Sequence, residues 1–137
     1  MAHNLRFSVA DSYDTRLTGI QVPVIIRSGS RATEFYGRID TGASFCIFER
    51  QHGEKVGIDV EQGTRIEIST VAGSFLAYGH EVTVIVLGIE TTTNVYFAAE
   101  ENFSRNVLGR QGWLDRVRLG LVDYDGQLYL SAYDDPA

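Results

Sequence analysis

The chain has few of the residues that would support a disulfide, a metal site or a cofactor. Cys46 is the only cysteine, so no internal disulfide is possible and a reducing compartment is permitted. His3, His52 and His80 are far apart in the sequence and have no companion cysteines, which argues against a bound metal. Neither a phosphate-binding glycine loop nor a dinucleotide fingerprint is present, so we expect no cofactor.

Basic clusters and long apolar runs are missing as well. The formal net charge is -6, from 12 basic and 18 acidic residues. Nucleic acids and anionic membrane surfaces attract cationic proteins, so neither is an expected partner. No apolar run approaches the ~20 residues of a membrane-spanning helix, and residues 1–11 contain no apolar segment typical of a secretion signal. We therefore expect a cytoplasmic protein.

The apolar residues that are present predict an all-β fold in a single domain, residues 1–137. They alternate over short stretches separated by Gly, Ser, Asn and Asp, and a hydrophobic content of 44% in 137 residues is enough for one core. We expect a short helical segment over residues 49–56, a core position for Trp113, and a buried strand position for Cys46. The predicted strands cover residues 5–9, 19–27, 32–40, 65–68, 75–89, 94–99, 119–124 and 127–131, the last two joined at Asp125-Gly126.

The most informative segment is Asp40-Thr41-Gly42-Ala43, which lies between strand-like stretches at residues 36–39 and 45–48. It places an acid at the end of a strand, a hydroxyl beside the acid, and a glycine that permits a tight turn and close backbone approach. The segment resembles the active-site signature of aspartic proteases, with Asp40 as the catalytic residue. The alternative is an aspartate that caps its own turn.

A second motif, Val107-Leu108-Gly109-Arg110, follows the first in the order and at about the distance found in the retropepsin-like branch of that family. In the family an apolar-apolar-Gly segment packs beneath the Asp-Thr-Gly loop and a helix follows it. The resemblance therefore implies a retropepsin-like closed β-barrel with one short C-terminal helix, here over residues 111–118.

The resemblance also implies a homodimeric endopeptidase, because the chain carries only one Asp-Thr-Gly loop. Two Asp40 carboxyls that meet across a two-fold axis cannot both ionise easily, so they share one proton. One of them then accepts a proton from water while the other donates to the scissile carbonyl. Thr41 is expected to bond across the interface, and Gly42 and Ala43 to complete the loop.

The expected flap tip is Val71, Ala72, Gly73 and Ser74, which would close over a peptide or protein substrate bound as an added strand. Two departures from the retroviral pattern leave alternatives open. Ser44 stands where those enzymes have an acidic residue that pairs with the arginine matching Arg110, and the flap has only one glycine. A catalytically inactive peptide-binding or dimerisation module of the same fold is one alternative. The other is an unrelated β-barrel that binds a small ligand.

Overall fold

Ten β-strands and one α-helix make up the computed structural model, which describes residues 1–136. The short helix α1 covers Arg50–Lys55, within the region where the sequence predicts a helical segment. Within residues 1–136, no helix has the length and apolar character needed to cross a membrane. The strands are β1 Val9–Ser12, β2 Ile20–Ser28, β3 Arg31–Ile39, β4 Ile47–Phe48, β5 Thr64–Thr70, β6 Gly73–Val86, β7 Ile89–Ala98, β8 Val107–Leu108, β9 Val117–Val122 and β10 Gln127–Ala132.

The main sheet closes on itself. Its seven strands follow the order β2-β3-β8-β4-β7-β6-β5, and β2 also pairs with the second half of β6, where Ile26 lies opposite Val84. This extra pairing closes a β-barrel and confirms the predicted all-β, closed-barrel fold. Because the first half of β6 pairs with β5 instead, the β5–β6 hairpin projects from the closed ring as an arm. A second sheet, β1-β10-β9, joins the two ends of the chain.

Alternation along the strands fills the barrel. Val22, Val24 and Ile26 of β2 are buried, and the residues between them are more exposed. Burial of a side chain of this size contributes about 1.5–3 kcal/mol relative to exposure. Trp113 is 1% exposed and Cys46 is fully buried, as the sequence predicts for both.

The predicted C-terminal helix over residues 111–118 is wrong in detail, because the structure has only a 3₁₀ turn at Leu114–Arg116. Gly112 adopts a φ of 108° and its N–H donates to the Asp115 carboxylate at 3.0 Å, which is incompatible with an α-helical turn at this place. Val117 then enters β9 directly.

Two strand boundaries also differ from the prediction. The arm expected over residues 75–89 and the separate strand at 94–99 are one hairpin that turns at Leu87-Gly88, both of which have positive φ. The first strand is Val9–Ser12, paired with β10, rather than residues 5–9, and Leu5 is exposed. The hairpin predicted at Asp125-Gly126 is confirmed, with Gly126 at a φ of 61°.

Candidate active site

Asp40 directly follows β3 and is fixed by backbone contacts to β8. Its N–H donates to the Leu108 carbonyl at 3.0 Å, and two residues earlier the Arg38 N–H donates to the Asn106 carbonyl at 2.8 Å. The parallel pairing of β3 with β8 continues this ladder, with Ile39 opposite Leu108. The backbone of Asp40 is therefore held by the barrel itself, which gives the carboxyl a defined position.

The loop after Asp40 folds back onto the carboxylate. The Gly42 N–H donates to Asp40 Oδ1 at 2.9 Å, and the Ala43 N–H donates to the Asp40 carbonyl at 3.2 Å. Gly42 does not have a positive φ, so the backbone conformation does not require a glycine here. A Cβ at this position would lie only 3.2 Å from Asp40 Oδ1, so the close approach to the carboxylate is what favours glycine. Asp40 thus caps its own turn, as the alternative interpretation states, while the carboxyl stays half-exposed. Capping and access to a ligand are compatible.

Gly109 packs beneath the Asp40 loop, and nothing larger fits there. A Cβ at Gly109 would lie 2.1 Å from the Phe45 carbonyl oxygen and 2.9 Å from that of Ala43. On either side of this contact, Arg110 N–H donates to the Ala43 carbonyl at 2.8 Å and Gln111 N–H donates to the Ser44 carbonyl at 2.9 Å. The two sequence motifs are thus joined by main-chain bonds.

A cleft of about 480 Å³ lies between the Asp40 loop and the β5–β6 hairpin. Asp40, Gly42 and Ala43 border it on one side, and Glu67 to Val71 border it on the other. Much of the remaining wall is apolar, and the rings of Phe75 and Phe103 are in contact there with centroids 4.8 Å apart. Apolar walls beside a few polar groups are typical of ligand sites. The other apolar lining residues are Phe45, Ile47, Ile68 and Val107.

Sequence and structure comparisons agree with this geometry. A family model described as aspartyl protease matches residues 22–120. The chain belongs to the aspartyl protease family. The chain is also similar in structure to the retroviral EIAV protease complexed with the inhibitor HBY-793, with 21% sequence identity and a TM-score of 0.53. The similarity covers 68% of this chain and 83% of the EIAV chain. No curated protein sequence matches significantly.

The family assignment excludes one alternative, since an unrelated β-barrel with an accidental signature would not match the aspartyl protease model over both motifs. The structural match supports the retropepsin-like form of the fold. Within residues 1–136, no group of three or more metal-binding side chains lies close enough together to hold an ion.

The tip of the β5–β6 hairpin is a tight two-residue turn, Val71-Ala72, between the paired residues Thr70 and Gly73. The Thr70 hydroxyl donates to the Gly73 carbonyl at 2.9 Å and accepts the Ala72 N–H at 3.2 Å, and Gly73 has a φ of 126°. Val71 is fully exposed and borders the cleft, whereas Ala72, Gly73 and Ser74 do not border it. The turn lies where the sequence predicts the flap tip.

The remaining predicted site residues are divided between the cleft and its surroundings. Val107 borders the cleft and Leu108 is fully buried behind it. Arg110 is exposed and borders a separate pocket with Ser44, and its side chain forms no ion pair with any residue in 1–136. Thr41 is exposed, and its hydroxyl likewise forms no hydrogen bond within the described chain.

Sequence reasoning missed two charged residues of the cleft, Arg38 and Arg105, and the acidic Glu67 on the hairpin side. Arg38 could have been found, because residues two apart on a strand share a face, so Arg38 faces the same way as Asp40. Arg105 gives no comparable signal, because it lies in an irregular segment before β8 and reaches the cleft only through the fold.

Proposed function

We propose that this aspartyl protease chain is an endopeptidase that acts as a homodimer and hydrolyses peptide bonds by activating water between two symmetry-related Asp40 carboxyls. The observation that carries the proposal is the placement of Asp40, which is fixed through its backbone to β8, is partly exposed, and borders a cleft of about 480 Å³. The sequence contains no second Asp-Thr/Ser-Gly loop, so a second carboxyl has to come from another copy.

Several features of the loop support pairing with a second copy. Thr41 and Gly42 are exposed next to Asp40, and the Thr41 hydroxyl forms no hydrogen bond within residues 1–136. A hydroxyl of this kind is available to the equivalent loop of another subunit. Because a two-fold axis makes such contacts reciprocal, each Thr41 would support the opposite loop.

The proposed reaction needs no covalent intermediate. The two Asp40 carboxyls share a single proton, since like charges a few ångströms apart disfavour double ionisation. The ionised carboxyl takes a proton from the bound water as the water oxygen attacks the scissile carbonyl carbon, and the protonated carboxyl donates its proton to the carbonyl oxygen. The resulting diol collapses when the carboxyl that took the proton from water donates it to the leaving amine and the other carboxyl accepts a proton from a diol hydroxyl. The C–N bond breaks, and the carboxyl pair again holds one proton.

The substrate is proposed to be an extended peptide that lies between the Asp40 loop and the β5–β6 hairpin. An extended backbone satisfies its hydrogen bonds best by pairing with neighbouring extended segments, and β5 is at the end of the main sheet with an unpaired edge. Closure of the hairpin over the peptide would exclude water from the reacting groups.

Asp40→Asn tests the reaction. It keeps the shape of the side chain and removes the exchangeable carboxyl proton, so we expect kcat/KM on a peptide substrate to fall by about 10²–10⁴-fold. The unfolding midpoint, followed by the fluorescence of the buried Trp113, should change little. Asp59→Asn, at an exposed aspartate outside the cleft, is the matched control.

Subunit mixing tests the dimer. If each site needs two carboxyls, an excess of the Asp40→Asn protein should draw wild-type chains into mixed dimers and remove their activity. If activity stays constant as the variant is added, under conditions where sedimentation shows that subunits exchange, the shared site is wrong.

The alternative is a peptide-binding or dimerisation module that has kept the fold without the reaction. It is favoured by one observation: within residues 1–136 the Arg110 side chain forms no ion pair, and Ser44 stands where the retroviral pattern has an acidic residue. This module would bind peptides without cleaving them, and Asp40→Asn would leave binding intact. If the chain cleaves peptides and a statine-type transition-state mimic blocks that cleavage, the chain is the enzyme and not the module.

A further inference from the structure

Two arginines line the cleft beside Asp40, and neither forms an ion pair with a residue in the described part of the chain. Arg38 and Arg105 border the cleft together with Asp40. They also border an adjoining pocket of about 380 Å³, which we call the arginine pocket. Its other lining residues are Gln21, Tyr36, Ser104, Asn106 and Val107, none of them acidic.

Within residues 1–136, ion pairs neutralise some of the arginines but not Arg38 or Arg105. Acidic residues outnumber basic ones by 18 to 12, and Arg16, Arg27, Arg50 and Arg116 each lie within ion-pair distance of a carboxylate. Within residues 1–136, Arg38 and Arg105 form no ion pair and no side-chain hydrogen bond. Two guanidinium groups in one pocket repel each other, and an anion bound between them relieves that repulsion.

Arg38 is positioned by the strand and by a glycine. Residues two apart on a strand share a face, so Arg38 and Asp40 face the same way with α-carbons about 7 Å apart. The side chain of Arg38 lies over Gly19, where a Cβ would be only 2.2 Å from Arg38 Cδ. The stem of Arg38 therefore packs over Gly19, where only a glycine leaves room for it, and the residue also lines the arginine pocket.

Arg105 is brought beside Arg38 by the backbone. The Arg38 N–H donates to the carbonyl of Asn106, the next residue after Arg105, at 2.8 Å. The Asn106 side chain is tied in turn to Glu49, whose N–H donates to Asn106 Oδ1 at 2.9 Å. The segment that carries Arg105 is therefore anchored next to β3.

We propose that the arginine pocket binds the carboxylate of an acidic side chain in the peptide substrate, within two residues of the scissile bond. This inference rests on the proposed function. An extended peptide advances about 3.3 Å per residue, so a carboxylate held at the pocket belongs to a residue adjacent to, or one removed from, the bond that lies over Asp40. The chemistry is charge-assisted hydrogen bonding to guanidinium, which is specific for carboxylates through its paired N–H groups.

Glu67 restricts where that acidic residue can lie. It borders the cleft from β5, on the hairpin side, and its carboxylate accepts a hydrogen bond from the Ser74 hydroxyl at 2.9 Å. A substrate carboxylate near Glu67 would be repelled, while one at the arginine pocket would be attracted. The positive charge of the arginine pocket and the negative charge of Glu67 together therefore favour a single register of the bound peptide.

The test uses the whole 137-residue chain and a set of peptides that differ only near the scissile bond. Each of the two positions on either side of the bond carries Glu, Gln or Lys in turn, and kcat/KM is measured for each peptide. At one of these positions we expect kcat/KM for the Glu peptide to exceed kcat/KM for the Gln peptide by about tenfold. This factor is the lower end for a charge-assisted bond at a partly exposed site. Lys should be cleaved more slowly than Gln there. The Glu preference should shrink as salt concentration rises.

Variants connect the preference to the pocket. In Arg38→Met/Arg105→Met the ratio of Glu to Gln cleavage should fall to within about twofold of unity. Arg38→Lys/Arg105→Lys, which keeps the charge but loses the paired N–H groups, should retain part of the ratio. Arg31→Met, at an exposed arginine that begins β3 at the opposite end from Asp40 and lies outside the cleft and the pocket, should leave the ratio unchanged.

Binding to the Asp40→Asn protein separates this inference from the proposed function. If no peptide is cleaved but the variant binds the Glu peptide more tightly than the Gln peptide, the pocket is supported and the enzymatic proposal fails. If peptides are cleaved with no preference for Glu at any position, the inference is overturned and the enzyme stands. A preference only for a peptide that ends there in a free carboxylate would overturn the assignment to a side chain. Absence of both cleavage and binding overturns both.

Discussion

Gly109→Ala tests whether the contact beneath the Asp40 loop defines the site. The added Cβ would lie 2.1 Å from the Phe45 carbonyl oxygen, whereas ordinary contact begins at 3.4 Å, so the backbone has to separate by 1.3 Å. A flexible side chain could move away from the added Cβ, but the Phe45 carbonyl belongs to the main chain. We therefore expect the loop itself to be displaced.

The magnitude follows from what the displacement breaks. Overpacking typically costs about 1–3 kcal/mol. The bonds from Arg110 to Ala43 and from Gln111 to Ser44 contribute about 0.5–1.5 kcal/mol each, and they border the clash. The smaller unfolded-state entropy of alanine returns only about 0.4–1 kcal/mol. The net loss is about 3 kcal/mol, which for a chain of this size lowers the melting temperature by about 10 °C.

The assay has two readouts. Unfolding in urea, followed by Trp113 fluorescence, reports the stability loss, because Trp113 is the only tryptophan and is 1% exposed. Peptide cleavage well below the unfolding midpoint reports the geometry. A shift of about 1 Å in a catalytic group costs about 100-fold in rate, so kcat/KM should fall by that factor in molecules that remain folded.

Gly29→Ala is the matched control. Gly29 has a φ of 59° in the β2–β3 turn and no atom within 4 Å of its Cβ position, so alanine there meets only the left-handed backbone penalty of about 1 kcal/mol. Cleavage should be normal. The reasoning is refuted if Gly109→Ala is no less stable than Gly29→Ala and cleaves peptides at the wild-type rate.

Two further predictions concern buried groups. Cys46 is fully buried and burial raises its pKa to about 12, so at about pH 8 a thiol reagent should modify it only on unfolding; rapid labelling of the native protein would contradict this. His52 is stacked on Phe35, and burial lowers its pKa from 6.5, with Lys55 lowering it further and Glu49 opposing. The unfolded chain therefore binds more protons between the lowered pKa and 6.5, so the urea midpoint should fall as pH drops through that window. His52→Gln should flatten this dependence, and an unchanged slope would rule out His52 as its source.

The sequence predicts the parts of the structure that depend on local pattern. Alternation in residues 19–27 predicts β2, and Asp125-Gly126 predicts the last hairpin because its turn chemistry is contained in two residues. The contact between the Asp40 loop and Gly109 is predicted from the family resemblance of the two motifs, and not from physical reasoning alone.

What the sequence does not predict depends on contacts between distant segments. Leu87 adopts a positive φ that a leucine side chain disfavours, so the sequence does not predict a turn there that joins β6 and β7 into one hairpin. Gly112 ends the expected helix through an interaction with Asp115, within a segment that packs near Asn94. Arg105 joins Arg38 only because β8 pairs with β3.

Strand β6 is shared by the closed ring and by the projecting arm, and this affects how the arm can move. Its second half is part of the closed ring, while its first half carries the β5 arm, of which only Ile68 is buried. Lifting the arm separates Ile68 and Phe75 from the apolar wall of the cleft, but it leaves the β2–β6 hydrogen bonds that close the ring intact. Movement of the arm is therefore separable from global unfolding, so amide protons of β5 should exchange with solvent long before those of β2.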